Sequence, residues 1–103
     1  MKINRIALIS ELKAQIWLTE QGYEVFTNIK PSGPADLLAW DVAKNHVLKI
    51  DVKTVKVYKK KDGTKSYVFS SLGPAGGDGA DSRVKDNVTY LGYCEEENLF
   101  IWY

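Results

Sequence analysis

The tightest constraint on the fold is a pair of strand-like runs joined by a link of hairpin length. The first reads Ala35-Asp36-Leu37-Leu38-Ala39-Trp40-Asp41 and the second Val47-Leu48-Lys49-Ile50-Asp51-Val52-Lys53-Thr54, with Val42-Ala43-Lys44-Asn45 between them. Runs rich in β-branched and aromatic residues on either side of a short link favour a hairpin. Folding about that link pairs positions whose numbers sum to 87, which sets Asp36 opposite Asp51. Like charges facing each other across a ladder are destabilising, and half-burial makes them costlier still. Lys53 follows two residues after Asp51 on the same strand face. Two carboxylates and a lysine on one patch make chemical sense where a divalent cation and a phosphate sit.

Alternation assigns the faces. Asp36, Leu38 and Trp40 share one face of the first run, and Ala35, Leu37 and Ala39 the other. On the second run Lys49, Asp51, Lys53, Val55 and Val57 share a face, while Leu48, Ile50 and Val52 point oppositely, into a helix-covered core. Apolar residues on both faces imply a sheet at least partly covered on each side.

Upstream, Asn4 is placed to cap a helix running to about Gln21, with Gly22 at the C′ position and Tyr23 as its apolar contact. At about 100° per residue, Ala7, Glu11, Ala14 and Leu18 form one stripe, flanked by Leu8, Leu12 and Ile16. Trp17 falls opposite it. Glu11 is thus a carboxylate within an apolar stripe, where an unpaired charge is expensive. It either sits at the stripe's edge and reaches solvent or serves the acidic pair. Tyr23 to Asn28 alternates as a first strand. Lys30-Pro31-Ser32-Gly33-Pro34 is a stiff loop leading to Asp36, either an ordinary connection or one whose Ser32 and backbone amides touch nucleic-acid phosphates.

Downstream, the second run extends to Tyr58. Lys59-Lys60-Lys61-Asp62-Gly63-Thr64-Lys65 makes a hairpin tip, and residues 66–70 return as a strand. Residues 71–82 are rich in Gly, Ser and Asp and are expected to be irregular, leaving room for at most a helical turn over 81–86. Residues 87–94 and 98–103 form a terminal hairpin about Glu95-Glu96-Glu97. Cys94 reads as a small buried strand residue and His46 as structural.

At 103 residues the chain is expected to be one domain, 1–103, with one core. A single cysteine excludes an internal disulfide and a CxxC zinc site. No apolar run reaches membrane length, so a soluble, cytoplasmic protein is the expectation. The net charge of +1 is uninformative, but its distribution is not. From Lys44 to Lys65 eight lysines face only Asp51 and Asp62. A basic segment around an acidic pair suits a phosphate-bearing partner, with Lys56, Lys59, Lys60, Lys61 and Lys65 as the backbone-tracking surface. A solvated lysine-rich hairpin that resists edge aggregation is the plain alternative.

Pro34-x-Asp36, a gap, and Asp51-Val52-Lys53 resemble the signature of the PD-(D/E)xK nuclease superfamily, in particular small Holliday-junction-resolvase-like and intron-encoded homing endonucleases. The helix pattern Glu11-x-x-Ala14-x-x-x-Leu18-x-x-x-Gly22-Tyr23-x-Val25 extends the resemblance over roughly the first half of the chain. It implies an α/β fold: an N-terminal helix packed on a mixed, largely antiparallel sheet, a restriction-endonuclease-like core with the second helix short or absent. It implies a metal-dependent DNA endonuclease. Asp36 and Asp51 would bind Mg²⁺ or Mn²⁺, with the carbonyl of Val52 as a further ligand and Glu11 reaching the ion directly or through water. Lys53 would act electrostatically on the attacking water or the reacting phosphate, leaving 3′-hydroxyl and 5′-phosphate ends. One such domain cuts one strand, so duplex or junction cleavage implies at least a homodimer. The competing classes are a catalytically inactive nucleic-acid-binding or assembly subunit with a nuclease-like fold, and an α/β domain carrying the motif by chance.

Overall fold

The computed structural model describes residues 5–29, 35–74 and 87–103. Among these residues one helix, α1 (Arg5–Glu20), precedes seven strands: β1 (Glu24–Thr27), β2 (Leu37–Asp41), β3 (His46–Lys59), β4 (Lys65–Phe69), β5 (Gly73–Pro74), β6 (Thr89–Cys94) and β7 (Leu99–Trp102). All seven belong to one sheet. Every pairing is antiparallel except that of β3 with β6, so the sheet is mixed, as expected. The Asn4 cap and the turn at 81–86 lie outside the described residues.

The long strand β3 organises the sheet. Its first part pairs with β2 in the expected register, Leu37 with Ile50 through Asp41 with His46, and its last part pairs with β4, Val55 with Phe69 through Lys59 with Lys65. The Ile50 carbonyl accepts from the Asp36 amide (2.8 Å) and the Thr54 carbonyl from the Ser70 amide (3.0 Å). Both carbonyls belong to even positions, so β2 and β4 flank the same edge of β3. β6 runs along the opposite edge, Ile50 to Val55 matched with Thr89 to Cys94. Between β2 and β4, at Val52, the first edge has a gap.

Asn45 (φ 48°) and Asn98 (φ 49°) close the β2–β3 and β6–β7 hairpins, a left-handed conformation that asparagine tolerates. The stretch after β4 is more ordered at its start than expected: Gly73 and Pro74 pair back on Phe69 and Val68. The helix ends in a Schellman motif: Tyr23 donates its amide to the Leu18 carbonyl (3.1 Å) and Gly22 to that of Thr19 (3.0 Å), with Gly22 at φ 98°.

The core has two parts. On the helix side, Ala14, Leu18, Leu37, Ala39, Ile50 and Leu91 are buried together, joined by Trp17, Tyr23, Val52 and Phe100. On the other face Val55, Phe69 and Cys94 pack with Val57, Tyr67 and Tyr103. Gly92 permits this second cluster: a Cβ there would lie 2.3 Å from Val55 Cγ2 and 2.5 Å from the Phe69 ring. Cys94 is fully buried, as expected.

The helix departs from the expected stripe. Ser10, Ala14 and Leu18 face the sheet, and Trp17 joins them instead of pointing away, stacking on Phe100 at 4.8 Å. Leu8, Leu12 and Ile16, expected as flanks of the core, are 48% to 62% exposed. The small side chains of Ser10 and Ala14 let α1 sit close to the sheet, and a close-packed helix buries a narrow strip.

Candidate active site

Asp36 stands just before β2 and is fixed three ways. Its amide donates to the Ile50 carbonyl (2.8 Å), its carbonyl accepts from the Asn28 amide (3.0 Å), and its Oδ2 accepts from the Val52 amide (2.9 Å). The carboxylate therefore caps the gap in the edge of β3. In a strand a residue's amide and carbonyl point to the same side of the ladder, so the Val52 carbonyl faces that gap as well.

Asp51 and Lys53 project from the face of β3 opposite Ile50 and Val52. The carboxyl of Asp51 comes within hydrogen-bonding reach of that of Asp36. Lys53 Nζ lies 3.5 Å from Asp51 Oδ2, both side chains about a quarter exposed, and 5.7 Å from the Tyr90 ring centroid. Burial, followed by the hydrogen bond and charge of Asp36, pushes the Asp51 carboxyl up to about 7 from its ordinary 3.8, against the opposing pull of Lys53. Glu11, on the sheet-facing flank of α1, is also raised, first by burial and then by the charge of Asp36. The acidic field thus extends from the sheet edge to the helix.

The donor set suits a hard divalent cation. Asp51 is raised to about 7 beside Asp36, a doubly charged ion would satisfy both carboxyls, and a backbone carbonyl points to the same edge. Among the described residues no three of His, Cys, Asp and Glu gather closely enough to hold a metal. A cation here would accordingly take Asp36, Asp51, the Val52 carbonyl and water, with Glu11 in the outer sphere.

The basic residues are more dispersed. Lys59, Lys60 and Lys61 are exposed at the β3–β4 tip. Lys56 is exposed as well, but alternation puts it on the opposite face of β3 from Asp51 and Lys53. Lys65 is bound to Glu97, which also accepts from the Tyr67 hydroxyl. Ser32 lies outside the described residues. Sequence reasoning missed Tyr90, which stands beside Asp51 in the parallel β3–β6 register. No signal local to either strand announces that pairing.

No protein-family model matches the sequence, and no curated protein does. Among solved structures the chain is similar to a bacterial homing endonuclease, I-Ssp6803I, at 21% identity and a TM-score of 0.63. The match covers all of this chain and 66% of the other, so this chain spans just under two thirds of that protein's length. The fold is therefore that of a known endonuclease. Among the described residues, no helix is long and apolar enough to cross a membrane.

Proposed function

We propose that the chain is a metal-dependent DNA endonuclease of the PD-(D/E)xK type, with Asp36, Asp51 and the Val52 carbonyl as the Mg²⁺ or Mn²⁺ ligands and Glu11 acting through water. The observation that carries this reading is the convergence of two carboxyls at a gap in a sheet edge, one locked to the Val52 amide and the other paired with Lys53. The fold shared with a homing endonuclease supports it.

The bound ion would supply Lewis acidity toward a phosphodiester oxygen and a lowered pKa for the attacking water. Asp36, held by three backbone contacts, keeps its second carboxyl oxygen aimed at the shared position. The Asp51 carboxylate draws the Lys53 ammonium to within reach of the same place, where it orients the incoming water or stabilises charge gathering on the phosphate. Glu11 adds negative potential and a hydrogen-bond acceptor for water on the helix side. Lys59, Lys60 and Lys61 hold the nucleic-acid backbone without reading its sequence. Cleavage of both strands of a duplex or junction requires two copies, so the active form is at least a homodimer.

The test is nicking of supercoiled plasmid and of branched DNA with Mg²⁺, Mn²⁺ or EDTA, comparing wild type with Asp51→Asn and Lys53→Ala. Metal-dependent nicking lost in Asp51→Asn and strongly slowed in Lys53→Ala is the expected result. DNA binding with no cutting under any metal would instead identify an inactive binding subunit.

A further inference from the structure

The side of α1 that faces away from the sheet is apolar. At about 100° per residue, Leu8, Leu12, Ile16 and Ile9 fall within one sector opposite Ser10, Ala14 and Leu18. They are 48%, 50%, 62% and 39% exposed. Together they present roughly 400 Å², a size at which an apolar patch on a monomer tends to be functional. Arg5 and Glu20 mark the two ends of the same sector. Among the described residues neither is in an ion pair.

Both charges oppose their own helix. The first turn of α1 has no acidic residue and the last no basic one, so Arg5 lies at the positive end of the macrodipole and Glu20 near the negative end. An antiparallel neighbour reverses this, because each Arg5 then meets a partner's C-terminal turn and each Glu20 a partner's N-terminal turn.

We propose that the outer face of α1 binds a second copy of this chain as an antiparallel, two-fold-related helix pair. Positions whose numbers sum to 25 face each other: Arg5 meets Glu20 of the partner subunit, Ile9 meets Ile16 of the partner subunit, and the axis passes between Leu12 and Lys13. The two ends of the contact are about 22 Å apart. A crossing near 20° displaces the ends sideways by about 4 Å and lengthens an interaxial distance of about 9 Å by only about 1 Å, whereas one near 50° displaces them by about 9 Å and lengthens it by about 4 Å. The shallow crossing keeps the end charges nearest each other. A stable contact needs about 800 Å² per partner, of which the apolar sector supplies about half, with Arg5 and Glu20 on its rim and the stem of Lys13, whose ammonium donates to the Tyr93 hydroxyl, beside it. This interface gives a seat to the second copy that duplex cleavage calls for, but it rests on the surface of α1 and not on the chemistry of the acidic pair.

Sedimentation velocity and light scattering on the full chain test it, with circular dichroism to verify folding. Wild type is expected to dimerise with a micromolar or tighter dissociation constant. Ile16→Glu should weaken the dimer at least about tenfold, as for a central apolar contact. Arg5→Glu and Glu20→Arg should each weaken it, and an equimolar mixture of the two should restore it, because every end contact in the mixed pair is again Glu against Arg. Should Ile16→Glu fail to fold, the charge-reversal mixture decides alone. A monomeric wild type, whether or not it binds DNA or another protein through this face, overturns the proposal. So does a dimer indifferent to these substitutions or a mixture that restores nothing. Nicking activity is read separately on the same samples: a monomer that still nicks overturns this interface alone, and a dimer that never nicks overturns the nuclease reading alone.

Discussion

Two carboxylate clusters in this chain contain the same kinds of residue and behave in opposite ways. At the β6–β7 turn, Glu97 accepts from Lys65 and from the Tyr67 hydroxyl, and those two hydrogen bonds hold its carboxyl below the ordinary value. At the gap in β3, Asp51 also has a lysine, yet burial and Asp36 drive it up to about 7. A lysine satisfies a lone acid. It does not satisfy an acid forced against a second acid in a half-buried place. The Glu97 cluster is complete in itself, whereas in the Asp51 cluster two acids face a single lysine.

Substitutions should separate the two sites, and the largest effect belongs to Asp51→Asn, which is expected to abolish Mg²⁺-dependent nicking in a plasmid assay. Lys53→Ala should lower the single-turnover rate by about 10²–10³, the cost of losing one electrostatic stabiliser of a reacting centre. Calorimetry should show wild type gaining about 2.7 kcal/mol of stability at Mg²⁺ one hundred times the dissociation constant, with no gain for Asp51→Asn. The pH dependence follows from the raised Asp51 carboxyl. The folded state holds its proton more tightly than the unfolded chain, so the stabilisation is full below about pH 4 and fades as pH rises to about 7. Denaturation midpoints without metal should accordingly drop between pH 4 and pH 8 in wild type and drop less in Asp51→Asn. Glu97→Gln gives the smallest effect: a slight loss of stability near neutrality that shrinks in acid, because a depressed carboxyl stabilises only while ionised, with nicking unchanged.

The sequence made the β2–β3 hairpin readable because both strands alternate cleanly about a short turn. With the register set by the turn, the meeting of Asp36 and Asp51 followed from counting. The Schellman end of α1 was equally legible in Gly22 and Tyr23. What escaped notice depends on distant partners. The parallel pairing of β6 with β3 matches residues 39 positions apart, and no local periodicity encodes it. Lys65 looked like a free cation for a phosphate until folding brought Glu97 to it from 32 residues away. The helix departs from its hydropathy stripe because the partner surface, not the apolar content of each face, decides which side is buried. Trp17 is inside because Phe100 and Trp102 stand ready for it, and Leu12 is outside because the sheet lies against the small residues Ser10 and Ala14.

The bond from the Val52 amide to Asp36 Oδ2 makes the two acids unequal. Asp36 has one oxygen held by the backbone, so its carboxylate keeps an orientation set by main-chain geometry. A glutamate in its place, one methylene longer, would forfeit that anchorage while retaining its charge. Among the described residues Asp51 is tethered to no amide and has latitude to reposition, so lengthening it to glutamate should be the milder change. The chain thus pairs a fixed jaw with a movable one.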